Sequence, residues 1–302
     1  MDAFLYSMEW VLPLRSEWAT PIAKGFTWLG YAPFFLIFLP IGYWLWDRAM
    51  FTRLTALVAI TAVVNGWFKD LWQDPRPPAE IQLDGQVTGS PGRPSGHTQV
   101  AVVMWLWLAY EVRRPWMWGV CIVLAVGVSF SRLYLGVHDV DDVLTGTALA
   151  LLTLALFAWL VSPSNSLVMA LRRAPVAQLI LVFALVPLIA ALWPTAVEAA
   201  DRATHTGSGP ILSVMFMLAG WLAGAALDTR LAPDRARSAW WQMVIMAVAG
   251  IVVLFVLRDA IEAAGTSLGL SDDVTGWVGG TILGFYMTGL APIAFRAARL
   301  MR

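Results

Sequence analysis

Six stretches of this chain run for the length of a bilayer crossing without one charged side chain: Gly25–Trp46, Pro115–Ser131, Val143–Ser162, Val176–Trp193, Gly207–Leu227 and Val274–Phe295. A spanning helix needs about 20 apolar residues, with a range of roughly 17–25. A seventh stretch, Ala239–Leu257, is equally free of charge. Two shorter ones, Leu54–Phe68 and Thr98–Tyr110, reach helical length only if Lys69–Trp72 and His97 are taken in. The expected fold is all-α, a polytopic transmembrane bundle of about nine spans. The two short spans carry polar ends that face each other across the loop Asp74–Pro94, and ionisable groups at membrane depth are rare unless they have a function.

Composition agrees. Of 302 residues, 59% are apolar and 13% charged, whereas a soluble domain carries roughly 25% charged residues. Twenty basic and twenty acidic side chains cancel, so no excess of positive charge points to nucleic acid. The single cysteine, Cys121, excludes an internal disulfide and any Cys-rich metal site. Residues 1–24 contain Glu9 and Pro13 and no small-residue cleavage site, so they read as an interfacial amphipathic segment carried by Phe4, Leu5, Met8, Val11 and Leu12, and not as a signal peptide. Residues 25–162 then hold five spans and residues 163–302 four more. Asp141-Asp142-Val143 and Asp272-Asp273-Val274 each open a span, which acidic residues favoured at helix N-termini explain as well as an internal repeat does.

Nine alternating spans sort the loops into two faces. One holds Arg48, Arg53, Arg113, Arg114, Arg172, Arg173, Arg230, Arg235, Arg237, Arg296, Arg299 and Arg302 against Asp47, Glu111, Asp228 and Asp234. The other has eight basic and sixteen acidic residues. By the positive-inside rule the arginine-rich face is cytoplasmic. The amino terminus is then expected outside and the carboxyl terminus inside. The loops 69–97 and 131–142 share the outer face.

Three clusters converge there. Lys69 is followed by Arg76-Pro77; Pro94-Ser95-Gly96-His97 opens the third span; Ser131-Arg132, His138 and Asp142 join the fourth span to the fifth. Each alone has a plain reading: a lysine snorkelling at a membrane edge, a Pro-Ser helix cap, an i,i+4 surface pair. Together they suit phosphoryl transfer, whose loose transition state spreads charge over equatorial oxygens and asks mainly for cations and oriented donors. Lys69, Arg76 and Arg132 supply charge. Ser95 and Gly96 sit where backbone N–H groups and the helix dipole favour an anion, and glycine permits close approach. His138 lies one helical turn before Asp142, whose carboxylate can hold one ring nitrogen protonated and leave the other to attack phosphorus. His97 is then the proton donor to the leaving oxygen, and takes a proton from the water that splits the phosphohistidine.

In this order and on one face, the blocks resemble the tripartite signature of the type 2 phosphatidic acid phosphatase superfamily, matching it at every fixed position over residues 69–142. The resemblance implies the same roles at the matching positions: His138, His97 and Asp142 catalytic; Lys69, Arg76, Ser95, Gly96 and Arg132 binding the phosphate; neither metal nor cofactor. Residues 25–162 become the catalytic core. No family motif is found from Pro163 on, although nine spans with an outside amino terminus are similar to the glucose-6-phosphatase branch.

The expected activity is hydrolysis of a lipid-linked phosphate or diphosphate on the extracytoplasmic face, with membrane lipids as the other partner. The eighteen arginines against two lysines fit a GC-rich bacterial genome and hence a bacterial inner membrane. Two rivals share these features: a phosphotransferase, in which an acceptor hydroxyl replaces water, and a transporter using the cations for binding. Transporter sites usually lie near the midplane at broken helices, unlike these clusters. His97, His138, Asp139, Asp141 and Asp142 could instead hold a divalent metal, though three nearby cations oppose it. Asp139 and Asp141 are otherwise expected to face solvent or cap the fifth span, Asp70 and Asp74 to pair with Lys69 or Arg76, Asn65 and Gly66 to serve helix contacts, His205 to be a solvated loop residue, and the seventeen tryptophans to anchor span ends.

Overall fold

The computed structural model describes residues 5–86, 89–162, 164–172, 174–194, 207–234 and 238–301. They form helices and loops, with no strand among the described residues. The helices are α1 (Ala19–Trp28), α2 (Ala32–Leu45), α3 (Arg48–Trp72), α4 (Gly96–Val112), α5 (Pro115–Tyr134), α6 (Val140–Leu160), α7 (Ser166–Arg172), α8 (Pro175–Ala191), α9 (Gly209–Leu231), α10 (Trp240–Ser267), α11 (Asp272–Phe285) and α12 (Ala291–Ala297). A π turn at Tyr286–Leu290 carries α11 into α12. Met1–Phe4, Pro163, Arg173, His205, Arg235, Arg237 and Arg302, all used in the sequence reading, lie outside the described residues.

Six helical runs are long and apolar enough to cross a bilayer: α3, α5, α6, α9, α10 and Asp272–Ala297. The chain is an integral membrane protein. Three of the nine expected spans take another form. Gly25–Trp46 is a bent pair, α1 and α2, turned by 58°. The break covers residues 29–31, where Gly30 favours a turn, and Pro33 sits in the first turn of α2, where its missing N–H is tolerated. The Val176–Trp193 stretch gives α8 of 17 residues, and Thr98–Tyr110 gives α4 of 17 residues with a polar first turn, Gly96-His97-Thr98-Gln99. By length and composition the described residues therefore supply six spans, or seven counting the bent pair.

The chain divides into two compact units, one of residues 1–35, 60–160 and 193–208, the other of residues 36–59, 161–192 and 209–302. In the first unit α4 packs on both α5 and α6, and α1 packs on α5. Helix α5 opens on Pro115, preorganised for the first helical position, and buries Met117, Cys121, Ala125, Val128 and Arg132 along one stripe. Its other side shows Val123, Val126 and Phe130 outward, as Leu144, Leu151, Leu152 and Leu156 are on α6, a surface that suits lipid. Helix α6 is started by a reciprocal cap. Asp139 Oδ1 accepts the backbone N–H of Asp142 at 2.9 Å, and Asp142 Oδ2 accepts that of Asp139 at 3.3 Å. Asp139 is thus buried as a cap and does not face solvent. Met8 and Val11 are buried against Tyr134, Leu135 and Val137, so the amino-terminal segment is packed into this unit's core.

In the second unit α9 and α11 press together along glycines. A Cβ at Gly220 or Gly224 would meet Thr281 or Thr288, and one at Gly280 or Gly284 would meet the backbone of Ser213 or Met217. Small residues four apart on each helix permit this approach. The fully buried Asp228 takes the Tyr43 hydroxyl at 3.0 Å and the guanidinium groups of Arg48 at 3.3 Å and Arg296 at 2.5 Å.

Candidate active site

All eight residues singled out for chemistry lie in the first unit. Lys69 is in the last turn of α3, Arg132 in the last turn of α5, Ser95 to His97 at the start of α4, Asp142 in the first turn of α6, and Arg76 and His138 in the connecting loops. Helix ends gather here because loops carry the polar groups that apolar spans exclude.

His138 is 1% exposed, with Nδ1 at 2.8 Å from Asp142 Oδ2. Its Nε2 stands 3.1 Å from Nη1 of Arg76. A guanidinium only donates, so Nε2 accepts there, and Nδ1 carries the proton given to Asp142. Burial, followed by the charges of Arg76, Lys69, Arg132 and His97, holds the His138 pKa well below the usual histidine range. The ring is a neutral base with its lone pair on Nε2.

The three cations differ in what they have left to give. Lys69 Nζ bonds the carbonyls of Pro91 and of Gly92, the latter at 3.2 Å. Arg76 is nearly saturated: Nε to the Ser90 carbonyl at 2.7 Å, Nη2 to the Ser90 hydroxyl at 3.0 Å, and Nη1 to the Val137 carbonyl at 2.7 Å as well as to His138. Its pKa is pushed down to about 10 by burial and then by Arg132. Arg132 is fully buried, with Nη1 bound to Thr27 Oγ1 and, at 3.0 Å, to Asp84 Oδ2, while Nε and Nη2 have no partner.

The helix start works differently from the sequence expectation. The Ser95 backbone N–H is taken by the Asp142 carbonyl at 3.0 Å, which ties α4 to α6 and removes it from the anion cradle. Its hydroxyl is buried without a partner and makes no cap bond, so the side chain is the donor on offer. Gly96 supplies one of the first N–H groups of α4, which have no acceptor within the helix. The glycine there is required by Asn65, whose Oδ1 would lie 2.9 Å from a Cβ. Asn65 itself bonds the Pro94 carbonyl at 3.2 Å and Gln99 Oε1 at 2.9 Å, so this residue, expected only to serve helix contacts, supports the α4 start. His97 Nε2 is also buried and unpartnered, and its ring meets Tyr31 edge to face, centroids 4.6 Å apart.

Residues 50–166 match the family model described as the PAP2 superfamily. This segment is a PAP2 domain. The chain is 29% identical over 136 residues to mouse sphingosine-1-phosphate phosphatase 2, covering 42% of this chain and 38% of that protein. It is 28% identical over 156 residues to phosphatidylglycerophosphatase B of Bacillus subtilis, covering 46% and 73%. The chain thus spans less than two fifths of the sphingosine-1-phosphate phosphatase 2 sequences it matches. Among solved structures, the transmembrane PAP2 type phosphatidylglycerolphosphate phosphatase of Bacillus subtilis aligns with a TM-score of 0.44 and 23% identity over 52% of this chain and 85% of that one.

Around the PAP2 blocks the structure adds residues that spacing did not reveal. Asp84, Tyr31 and Thr27 hold Arg132 or its partner, and Ser90 holds Arg76. Asp141 pairs with Arg93 at 2.5 Å, and Arg93 also lies 3.8 Å from Asp74 and over the Trp72 ring. Asp70 accepts the Trp193 indole N–H and the Gly207 backbone N–H, both at 2.8 Å. Among the described residues, Asp74, Asp139 and Asp142 form a group that could hold a cation, with oxygens within 4.8 Å of one another. That set includes neither histidine nor Asp141. Asp142 is committed to His138 and the α6 cap, and Asp139 to the same cap, so a metal there would compete with bonds already made.

Proposed function

We propose that this PAP2 domain hydrolyses a lipid phosphate through a phosphohistidine on His138. The observation that carries the reading is a set of buried polar atoms without partners, Ser95 Oγ, His97 Nε2 and Nε and Nη2 of Arg132, beside a neutral imidazole already oriented by a carboxylate. Buried donors left unmade are costly, and a phosphate satisfies them all.

His138 Nε2 bonds to phosphorus as the P–O bond to the lipid breaks, and the leaving oxygen takes a proton from His97. Before attack the Arg76 Nη1–H that caps Nε2 turns to a phosphate oxygen, so substrate binding itself uncovers the nucleophile. Arg132, Lys69 and Arg76 hold the charge that develops on the equatorial oxygens. Asp142 stabilises the ring once it is phosphorylated and cationic. Water then attacks phosphorus, returns a proton to His97, and releases phosphate with His138 restored. No step needs a metal.

The arginine distribution supports nine spans, with the bent α1–α2 pair, α4 and α8 counted among them, an outside amino terminus and a site on the extracytoplasmic face, in a bacterial inner membrane. Residues 25–162 are the catalytic core on this reading, residues 1–24 an amino-terminal segment and residues 163–302 a further membrane region.

Purified protein in detergent, offered sphingoid phosphate, phosphatidate, phosphatidylglycerol phosphate, a lipid diphosphate and a sugar phosphate, should release phosphate from lipid substrates and do so in EDTA. No release from any of them, or loss on chelation that one divalent ion restores, contradicts the proposal.

A further inference from the structure

The loop between α3 and α4 places a carboxylate among the cations of an anion site. Asp84 is 9% exposed, and its charge repels a phosphate dianion, so it must act through something else. Its Oδ2 accepts Arg132 Nη1 at 3.0 Å and the Tyr31 hydroxyl at 2.5 Å, and its Oδ1 accepts the Gln86 backbone N–H at 3.2 Å. With Thr27 Oγ1 as second acceptor, both protons of Nη1 are engaged. The guanidinium is a rigid planar fork, so fixing one nitrogen fixes the plane, and Nε and Nη2, the partnerless edge, are held in one orientation.

Tyr31 belongs to both halves of the site. Its hydroxyl restrains Asp84, while its ring stands edge-on against His97 at 87°. It sits at the α1–α2 break beside Gly30, where a Cβ would run into the His97 ring, so the chain closes on that histidine from two sides.

We propose that Tyr31 and Asp84 are positioning residues of the phosphoryl transfer, Asp84 aiming Arg132 at the phosphate and Tyr31 holding Asp84 with its hydroxyl and His97 with its ring. This rests on the phosphatase reading above. One residue then carries two separable functions, which two substitutions divide. Tyr31→Phe keeps the ring and loses the hydroxyl, whereas Tyr31→Leu loses both.

The experiment measures kcat and KM for a lipid phosphate and for nitrophenyl phosphate, whose good leaving group needs little protonation, together with inhibition by vanadate as a phosphate mimic. Tyr31→Phe should raise KM and the vanadate inhibition constant about tenfold, the scale of one lost hydrogen bond to a charged group, without altering the ratio of kcat between the two substrates. Asp84→Asn should behave the same way. Tyr31→Leu should in addition lower kcat for the lipid phosphate more than for nitrophenyl phosphate. Unchanged vanadate inhibition in Tyr31→Phe, or equal losses on both substrates in Tyr31→Leu, overturns the inference. Wild-type protein inactive on every phosphate ester brings down the phosphatase reading instead.

Discussion

Replacing Asp142 by asparagine removes a charge while keeping the shape of the side chain. In the resting site His138 is neutral, and Asp142 Oδ2 accepts its Nδ1 proton at 2.8 Å. On the proposed mechanism, transfer of the phosphoryl group to Nε2 makes the ring cationic, and only then does the carboxylate's charge count in full. A unit charge pair at about 4 Å and an effective dielectric near 20 is worth about 4 kcal/mol, or about three powers of ten in rate. An amide oxygen still accepts the Nδ1 proton, so part of this is retained. The expected result is a fall in kcat of about 10²–10³ with KM little changed, because the interaction strengthens in the transition state. The fold should survive: the Asp139 Oδ1 bond to the residue 142 backbone is untouched, and asparagine can still accept the Asp139 N–H. Steady-state kinetics on detergent-purified protein, with thermal unfolding as control, make the test. A kcat within tenfold of wild type, or a loss confined to KM, would refute the proposed partnership.

Four further outcomes test the site and its membrane face. Because burial and neighbouring cations depress the His138 pKa, the acid limb of the kcat/KM profile due to this group should lie below the usual histidine value of about 6.5. The sign for stability is that the unfolded chain binds the proton more readily, so His138 costs stability progressively as pH falls from about 6.5 toward its folded value, and replacing it by glutamine should flatten that slope in unfolding measurements. His97→Ala should lose about 10²–10⁴ in rate on a lipid phosphate and be partly rescued by nitrophenyl phosphate, whereas His138→Ala should not; equal rescue would mean the roles are misassigned. In a Cys121→Ser background, cysteine placed at position 205 should react with an impermeant thiol reagent in intact cells and cysteine at position 235 should not, and the reverse pattern would put the site on the cytoplasmic side.

The apolar helices are legible because hydrocarbon-length runs without charge have few other solutions, and the candidate site residues because phosphoryl transfer asks for a narrow set of groups. Lys69, Arg76, Ser95, His97, Arg132, His138 and Asp142 all lie in one compact unit. What the chain could not reveal by spacing is which neighbour uses which atom. Nothing marks Asp84 or Tyr31 as partners of Arg132, since they meet only when the α3–α4 loop folds against the α1–α2 break. The Asp139-to-Asp142 spacing is a capping pattern, yet the same letters fit a solvated acidic run, and burial alone decides between them. Spacing also does not show that a Cβ at Gly96 would meet Asn65. The glycine pairs 220/224 and 280/284 are visible in the sequence, but helix packing is needed to show that they face each other.

The most direct test of the phosphohistidine is to trap it. His97→Ala, which on the proposed mechanism lacks the base that activates water, should accumulate phosphoenzyme from labelled nitrophenyl phosphate in an acid-sensitive, base-stable form, with the label on the peptide containing His138. Label on a peptide without His138, or no phosphoenzyme at any time during a turnover that releases phosphate, would contradict the account.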